Sequence, residues 1–286
     1  IQGKNRILSM IKNRPDWVVS RQRAWGVPLS IFYHKVTGEP LIDTELNEKI
    51  VKMYEEYGCD VWFEKTKAEL LGDKYNPDEY EKVDDILDVW FDSGCTHAFV
   101  LDEKEDQIWP ASIYLEGTDQ HRGWFHSSLL ESCGTRGVAP YEAVLTHGFV
   151  LHEDGNKMSK SSSNIVPPAE IIEKSGADIL RLWVASSDYS DDLKIGPEII
   201  KSNADSYRRL RNSLRFILGN LDNFEEKEKV EFSDLPELDK YILERLTELE
   251  EEVLKNYQIF EYQKVFSSIF NFCTNELSSF YFDIRK

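Results

Sequence analysis

The sequence predicts an α/β domain built on a parallel sheet, followed by a bundle of long helices. Two apolar, β-branched runs at 111–117 and 144–151 are separated by a helical pattern at 123–134, and strands that alternate with helices are typical of parallel sheets. The bundle is predicted because apolar residues recur at helical spacing over three long stretches: 197–221, 235–257 and 260–284. This change of character places a domain boundary near residue 190.

The composition describes a globular protein of 286 residues, long enough for one large domain and part of a second. The formal net charge of -18 argues against indiscriminate binding of nucleic acid or anionic membranes, so a nucleic-acid partner would need a local basic surface. No apolar run approaches the roughly 18 residues of a membrane span, and no signal peptide is visible. We therefore expect a cytoplasmic protein with no membrane partner.

The four cysteines, Cys59, Cys95, Cys133 and Cys273, are scattered and form no Cys-x-x-Cys pair. This spacing indicates neither a zinc knuckle nor a disulfide framework. We expect reduced, mostly buried thiols and no metal site in the chain.

The amino-terminal segment predicts a helix at 1–14 with a basic outer face, ended by Pro15. Beyond it lie Arg21 and Arg23, and residues 29–34 have the pattern of a short strand. Clustered arginines bind anions and also pair with carboxylates, and both roles stay open for these two.

An acidic and mostly helical stretch at 43–85 predicts a small inserted subdomain, whose charge we interpret as a solvated face. The segment 83–91 is then expected to return to the main sheet. Within this region Asp88 and Asp92 favour structural hydrogen bonding over catalysis. His97 is a lone histidine, for which a structural role is the simpler interpretation than a contact with substrate.

Polar side chains follow the strand predicted at 111–117. Ligands of doubly wound α/β sheets bind beyond the carboxyl ends of the strands, and Glu116, Asp119 and Gln120 are placed there. Carboxylates form charge-assisted hydrogen bonds with ammonium groups. This edge of the sheet is therefore suited to hold a substrate amine and ribose hydroxyls.

A loop with two lysines follows the second predicted strand, where residues 157–161 are Lys-Met-Ser-Lys-Ser. Ammonium groups neutralise the charge of a polyphosphate and hydroxyls donate hydrogen bonds to it. Composition alone equally allows a solvated surface turn, because exposed lysines are common.

The pentamer and three further blocks resemble class I aminoacyl-tRNA synthetases, and among them the isoleucyl-tRNA synthetases. The blocks are Asp-Val-Trp-Phe-Asp-Ser-Gly at 88–94, Tyr-Leu-Glu-Gly-Thr-Asp-Gln-His-Arg-Gly-Trp-Phe at 114–125 and Gly-Ala-Asp-Ile-Leu-Arg-Leu-Trp at 176–183. Leucyl and valyl enzymes share the pentamer and the Trp-Phe-Asp-Ser block, but we do not expect them to carry the block at 114–125. Arg-Gln-Arg-x-Trp-Gly at 21–26 resembles the return from the editing insertion to the catalytic domain.

The resemblance implies that residues 1–190 are the carboxyl-terminal half of a Rossmann-like nucleotide-binding catalytic domain, with the acidic insert at about 43–85. Residues 191–286 would begin an α-helical anticodon-binding domain. The implied enzyme is a ligase that activates isoleucine with ATP to isoleucyl-adenylate and transfers isoleucine to tRNA(Ile). Mg²⁺ would enter with ATP as part of the substrate, and the full-length enzyme would be a monomer.

The resemblance also implies roles for individual residues. Lys157 and Lys160 would stabilise the pyrophosphate leaving group, while Met158 and Ser159 would contact ATP together with Lys160. Contacts to the aminoacyl-adenylate would come from the ends of two strands and the residues that follow them: Glu116, Gly117, Asp119, Gln120, Trp124, His147, Gly148 and Phe149. Trp124 would line the wall near the amino-acid side chain. For Trp124 and Phe149 an ordinary place in the core is an equal alternative.

Four arginines on the first long helix form the only dense basic patch of the sequence: Arg208, Arg209, Arg211 and Arg215. In a synthetase they would meet tRNA phosphates and release counterions. A helix surface paired with carboxylates is an equally open interpretation. Asp234 is a plausible N-cap of the next helix, with Pro236 in its first turn.

The sequence departs from the family pattern at Ser163, where the family has a glycine that would allow positive φ. None of the six histidines forms the His-x-Gly-His set of the first ATP motif. Since the chain opens at Ile1, we expect a fragment that lacks this motif, the editing insertion and the anticodon-reading end, and that is inactive alone. Three alternatives remain: a valyl or leucyl enzyme, a nucleotidyltransferase of the same superfamily, and a binding module without activity.

Overall fold

The computed structural model describes residues 2–159 and 164–285. The chain divides into two compact units, Ile1–Thr146 and His147–Lys286, and each is described by itself. Among the described residues, no helix is long and apolar enough to cross a membrane.

The first unit contains six α-helices and six strands among its described residues, together with a π-helical segment at His97–Leu101. Its helices are α1 (Gln2–Lys12), α2 (Thr44–Tyr57), α3 (Val61–Glu64), α4 (Lys67–Leu71), α5 (Val89–Gly94) and α6 (Trp124–Arg136). Its strands are β1 (Ser20–Arg21), β2 (Phe32–His34), β3 (Tyr80–Lys82), β4 (Ile86–Leu87), β5 (Ala111–Gly117) and β6 (Tyr141–His147), whose last residue opens the second unit. β1 pairs antiparallel with β4, β2 pairs antiparallel with β3, and β5 lies beside β6.

The segment between β2 and β3 is organised around its own apolar core. Asp43 caps α2 by accepting hydrogen bonds from the backbone N–H groups of Glu45 and Leu46, a standard way to satisfy the first turn of a helix. The Trp62 indole is fully buried and donates to the carbonyl of Val83. The core residues are Phe32, Leu46, Ile50, Trp62, Leu70 and Leu71.

The helix α6 and the strand β5 before it match the sequence predictions at 123–134 and 111–117, which are confirmed. The predicted strand at 83–91 is largely wrong. Within this segment only Ile86–Leu87 forms a strand, and it pairs with β1. From Val89 onward the chain is helical because the Asp88 carboxylate accepts a hydrogen bond of 2.8 Å from the backbone N–H of Trp90 and starts α5.

The second unit contains two short strands and a series of helices. The strands β7 (Val150–His152) and β8 (Leu193–Ile195) pair parallel. The helices are α7 (Pro168–Ser175), α8 (Ala177–Ser186), α9 (Pro197–Asn220), α10 (Glu237–Gln258), α11 (Tyr262–Asn271), a π-helical segment (Phe272–Tyr281) and α12 (Phe282–Arg285). The predicted long helices are thus confirmed, the third with a change of helical pitch.

Two clusters of buried side chains hold the second unit together. One lies between α7, α8, β8 and α9, and consists of Ile171, Ile179, Trp183, Ile195 and Ile200. The other belongs to the helical bundle and consists of Ile242, Phe272, Cys273, Leu277 and Phe282. The predicted cap at Asp234 is wrong, since α10 begins after Pro236, which cannot donate a backbone hydrogen bond, and Asp234 lies in a preceding turn.

The single strand predicted at 144–151 is also wrong, because β6 ends at His147 and β7 begins at Val150. Between them the backbone N–H of Gly148 donates to the carbonyl of Tyr189 (2.9 Å), and that of Phe149 to the Asp192 carboxylate (2.7 Å). These partners from a distant part of the chain replace the ladder of hydrogen bonds and break the strand.

Candidate active site

In the first unit, the turn after β5 brings Glu116 and Trp124 together. The indole Nε1–H of Trp124 donates to the Glu116 carboxylate across 2.7 Å. The Trp124 ring also packs on Tyr114, with ring centroids 4.5 Å apart. The carboxylate is exposed at the end of the strand, where it can meet a ligand.

The same turn places Asp119 and Gln120 beside this pair. The Gln120 side chain donates to Asp119 (3.3 Å) and accepts from the backbone N–H of Trp124 (3.4 Å). A Cβ at Gly123 would lie 2.2 Å from the Gln120 side-chain oxygen, so a larger residue would push the Gln120 side chain out of this place. Gly117 is buried at the end of β5. The structure therefore gathers the predicted group Glu116, Gly117, Asp119, Gln120 and Trp124 around one turn.

Behind Trp124 lies a buried polar chain. The Tyr114 hydroxyl is 3.1 Å from the Ser128 hydroxyl, which is 3.4 Å from His97 Nδ1. His97 Nδ1 also lies 2.9 Å from the carbonyl of Gly94, and desolvation lowers the pKa of this histidine. At 1% exposure His97 is internal, which favours the structural interpretation.

Asp88, the residue before α5, is structural as well. Asp88 caps this helix and pairs with Arg21, so that arginine acts as a salt-bridge partner. Burial, followed by the charge of Asp88, raises the pKa of Asp92.

An open cavity of about 550 Å³ lies beside the start of α6. It is lined by residues from three parts of the first unit, which include Arg14, Trp17, Trp90, Arg122, Gly123 and Ser127. The sequence analysis did not identify Trp90 as a lining residue. Its signal in the sequence was an aromatic side chain two residues after Asp88, and the structure leaves this side chain 45% exposed.

In the second unit, the predicted residues His147, Gly148 and Phe149 form the break between the strands. A Cβ at Gly148 would lie 2.2 Å from the carbonyl oxygen of Asp191, so the backbone approaches closely only because the residue is glycine. His147 Nδ1 lies 2.7 Å from the carbonyl oxygen of Gly148. Phe149 is exposed, which argues against the alternative of a core residue.

The lysine loop leaves β7 through a tight turn. The backbone N–H of Gly155 donates to the carbonyl of His152, and Asn156 N–H donates to the Asp154 carboxylate, whose pKa this bond lowers. Gly155 has a φ of 86°, which favours glycine. The turn places Lys157 at the surface, where its backbone forms an isolated antiparallel β-bridge with Leu151.

Asn164 holds the other end of this loop. Its side-chain oxygen accepts from the backbone N–H of Ser159 (3.0 Å), and its side-chain nitrogen donates to the carbonyl of Lys157 (3.3 Å). Met158 packs against the cluster around Trp183, so it anchors the loop to the unit. Lys160 and Ser163 lie outside the described residues.

A family model described as tRNA synthetases class I (I, L, M and V) matches residues 1–196. The chain belongs to this family. A second model, the anticodon-binding domain of tRNA ligase, matches residues 239–286. The predicted resemblance to class I synthetases is thereby confirmed.

Curated relatives identify the isoleucyl group within the class I synthetases. The isoleucine–tRNA ligase of Pelagibacter ubique is 56% identical over 288 residues, which cover 100% of this chain and 32% of the relative. The corresponding enzymes of Zymomonas mobilis and Caulobacter vibrioides are 53% and 52% identical, over 100% and 99% of this chain and 30% and 29% of their own length. The chain thus spans about a third of the length of these relatives.

Two solved structures show the class I synthetase fold. The LeuRS–tRNA–LeuAMS ternary complex of Agrobacterium radiobacter K84 aligns with a TM-score of 0.70 at 17% identity, over 94% of this chain and 38% of that one. Methionyl-tRNA synthetase of Mycobacterium tuberculosis with methionyl-adenylate gives 0.61 at 20% identity, over 99% and 47%. They confirm the predicted fold class, an α/β domain followed by helices.

The basic patch of this synthetase chain lies on the exposed side of α9. Arg208 pairs with Asp205 at 2.8 Å. Among the described residues, no carboxylate lies within 4.0 Å of the guanidinium groups of Arg209, Arg211 or Arg215. Arg211 also borders a groove of about 420 Å³ between α8 and α9.

The chemistry of the side chains bears on metal binding and oxidation. Within residues 2–159 and 164–285, no group of three or more His, Cys, Asp or Glu side chains is arranged to hold a metal ion. The four cysteines are free thiols, but only Cys273 is buried. The expectation of mostly buried thiols was therefore wrong for Cys133, which is exposed near the end of α6.

Proposed function

We propose that the full-length protein containing this chain activates isoleucine with ATP and transfers it to tRNA(Ile). The observation that carries this proposal is the identity of 52–56% to isoleucine–tRNA ligases over at least 99% of the chain. Because the chain covers about a third of those enzymes, the activity belongs to the longer polypeptide.

The first unit would contribute contacts to the amino acid and the adenylate. Glu116, Asp119 and Gln120 form a hydrogen-bonded group at the end of β5, and an exposed carboxylate attracts the ammonium group of an amino acid. Gly117 is buried beneath this group. The cavity lined by Trp90 adjoins the start of α6 at Gly123, beside Trp124, which supports a pocket for an apolar side chain there.

The second unit would contribute contacts to ATP. Gly148 gives the backbone the bare surface that a flat base can approach, with His147 and Phe149 on either side. Lys157 is presented by the turn after β7, Ser159 is held by Asn164, and Met158 anchors the loop. Lys160 would act with Lys157 on the leaving group.

The reaction is a nucleophilic substitution at phosphorus. A carboxylate oxygen of isoleucine forms a bond to the α-phosphorus of ATP, and the bond from that phosphorus to the bridging oxygen breaks. The electron pair leaves with pyrophosphate, whose charge the two lysines and the Mg²⁺ that accompanies ATP would neutralise. The chain's residues position reactants and stabilise charge, and no covalent bond to the protein is formed.

The remaining parts of the proposal concern partners and organisation. Arg209, Arg211 and Arg215 would contact tRNA phosphates, which the absence of nearby described carboxylates supports. The family matches at 1–196 and 239–286 support a catalytic part at 1–190 and an anticodon-binding part at 191–286. We further propose a monomer in the cytoplasm.

The decisive experiment is isoleucine-dependent ATP–pyrophosphate exchange by the full-length protein. Lys160→Ala is expected to slow adenylate formation by about a hundredfold or more, the scale for losing one charge-stabilising group. Lys174→Ala removes an exposed lysine of α7 and is the matched control, expected to leave the rate unchanged. An unaltered rate in Lys160→Ala, or exchange that depends on valine or leucine instead, would refute the proposal. The isolated 286-residue chain is expected to show no exchange.

A further inference from the structure

A carboxyl group with no assigned role is enclosed between α5 and α6. Glu131 Oε2 accepts a hydrogen bond from the thiol of Cys95 at 3.4 Å. Its other oxygen is buried and has no hydrogen-bond partner among the described residues. A Cβ at Gly94 would lie 2.3 Å from Oε2. The carboxyl group therefore rests directly on the backbone at the end of α5, and a side chain at position 94 would displace it.

A second contact ties the same two helices together one turn earlier on α6. The hydroxyl of Ser127 donates to the carbonyl of Trp90 across 2.5 Å, and Ser127 is 4% exposed. Residues four apart on a helix lie on one face, so Ser127 and Glu131 face α5 together. They contact it near its start, at Trp90, and at its end, at Gly94.

The helix held in this way carries a wall of the cavity. Trp90 lines the cavity together with Gly123 from the start of α6. Because α5 is only six residues long, a shift of the helix against α6 moves the indole with it. The width of the cavity at Trp90 then depends on how closely α6 holds α5.

We propose that Ser127 and Glu131 are positioning residues that hold α5 on α6 and thereby set the place of Trp90 in the amino-acid pocket. This inference rests on the proposed function, because it takes the cavity to be the pocket for the amino-acid side chain. Glu131 is not among the residues that line the cavity and acts through Trp90, whereas Ser127 both holds the Trp90 carbonyl and lines the cavity itself. Variants of Glu131 therefore test positioning apart from any contact with the substrate.

The protonation state of Glu131 determines how stable its side chain is in the buried position beside α5. The pKa of Glu131 is raised to about 7, chiefly by burial and also by the charge of Asp92 on α5, against the opposing effects of the Cys95 thiol and of the Arg14 guanidinium just after α1. Tyr114 faces the group from β5. A neutral carboxyl tolerates an oxygen without a partner far better than a carboxylate does. The stabilising effect of Glu131 on the contact between α5 and α6 is therefore fully present below pH 4.5, the ordinary pKa of a glutamate. It is lost as the pH rises through the raised pKa of about 7.

The test is the pH dependence of amino-acid-dependent ATP–pyrophosphate exchange by the full-length protein, from below to above this pKa. In the wild type, KM for isoleucine is expected to rise above about pH 7 while kcat changes less. Glu131→Gln, which stays neutral, should keep the low KM at alkaline pH. Glu131→Ala and Ser127→Ala should raise KM by roughly tenfold. This is less than the ~100-fold loss expected when a substrate-positioning group moves by a full ångström, because a smaller shift of Trp90 is expected. Glu142→Gln makes the same change at an exposed position of β6 and should match the wild type.

A second variant separates positioning from a loss of stability. Gly94→Ala places a methyl group where the Glu131 carboxyl sits, so it should raise KM as Glu131→Ala does. In the double variant Gly94→Ala/Glu131→Ala the methyl group fills the space that the carboxyl group has left. Its effect on KM should therefore be smaller than the sum of the two single effects. Additive effects of the two substitutions on KM would overturn the inference, and so would a Glu131→Gln variant with the pH profile of the wild type. A fall in kcat as large as the rise in KM, accompanied by a fall in Tm, would also overturn it.

The failure of the proposed function would look different. In that case the wild-type protein would show no isoleucine-dependent exchange at any pH. Exchange that depends on another amino acid would refute the isoleucine assignment, while the comparison of Glu131→Gln with the wild type would still test the positioning role.

Discussion

The indole N–H of Trp124 donates a hydrogen bond of 2.7 Å to the carboxylate of Glu116, across the turn that joins β5 to α6. The bond fixes the direction of a carboxylate that is otherwise exposed to solvent. Since a hydrogen bond to a charged group is stronger than a neutral one, Trp124 orients the group that we propose to bind the amino-acid ammonium.

Trp124→Phe keeps an aromatic ring on Tyr114 but removes the donor. We expect it to weaken binding of a non-hydrolysable isoleucyl-adenylate analogue to the full-length protein by about tenfold, the range for a bond to a charged group at a partly exposed site. Calorimetric titration measures the affinity, and Trp25→Phe, at a side chain that is 88% exposed, is the control. If Trp124→Phe binds as the wild type does, or if its loss adds fully to that of Glu116→Ala, the bond does not orient Glu116.

The Asp43 carboxylate gives the insert between β2 and β3 a pH dependence of its own. The Lys74 ammonium lies 2.7 Å from it, and the Tyr75 hydroxyl donates to it. These partners, Lys74 first, hold the pKa of Asp43 well below its usual range. A lowered pKa in the folded state stabilises the fold above the ordinary value of 3.8, and this contribution is lost as the pH falls below it.

Lys74→Met is therefore expected to lower the Tm of the chain at neutral pH. The difference from the wild type should shrink as the pH falls below 3.8, because protonation of Asp43 removes from the wild type the attraction that the variant already lacks. Lys52→Met changes an exposed lysine of α2 and should leave the Tm unchanged throughout. Thermal unfolding followed by circular dichroism measures all three, and a difference that is independent of pH would contradict the prediction.

Local signals account for the parts of the fold that the sequence predicted correctly. The strand β5 and the helix α6 follow from periodicity and from the glycines around them, and the long helices follow from their apolar stripes. The strand prediction was wrong for residues 89–94 because their apolar and aromatic side chains are typical of a strand. The N-cap at Asp88 instead starts a helix there. The break at Gly148 depends on Tyr189 and Asp192, some forty residues away, and no local pattern contains it.

The same distinction applies to the candidate site. Glu116, Asp119 and Gln120 were predictable because ligands bind beyond the ends of strands, and that end was visible in the sequence. Ser127 and Glu131 were not, since their roles exist only where α5 approaches α6. A serine and a glutamate on a helix carry no signal of a partner on another helix.

The Asn164 side chain makes a further prediction, for the loop that carries Lys157. Asn164→Asp keeps the oxygen that accepts from Ser159 but loses the nitrogen that donates to the Lys157 carbonyl, and it adds a negative charge near the proposed leaving group. We expect isoleucine-dependent exchange to slow by about tenfold or more, since a lost or opposed charge-stabilising contact costs up to a hundredfold or more.

Pyrophosphate exchange by the full-length protein measures this effect. Asn164→Ala removes both hydrogen bonds without adding charge, and should lie between Asn164→Asp and the wild type. Asn47→Asp makes the same chemical change on an exposed face of α2 and should have no effect. A rate in Asn164→Ala equal to that of the wild type would show that the loop does not depend on this side chain.

The arginines of α9 predict how tRNA binding depends on salt. Each cation that contacts a phosphate releases counterions, so its removal lowers the slope of log K against log salt by about 1. Arg209, Arg211 and Arg215 have no carboxylate within 4.0 Å among the described residues, whereas Arg208 pairs with Asp205. Alanine at any of the first three should therefore reduce both affinity and slope, and Arg208→Ala should do so less, because Asp205 already offsets its charge.

Titration of the full-length protein with tRNA(Ile) at several salt concentrations measures the slopes, with Lys201→Ala, which neighbours Glu198 on the same helix, as the control. Equal slopes in the wild type and all five variants would mean that this face of α9 does not meet the phosphates.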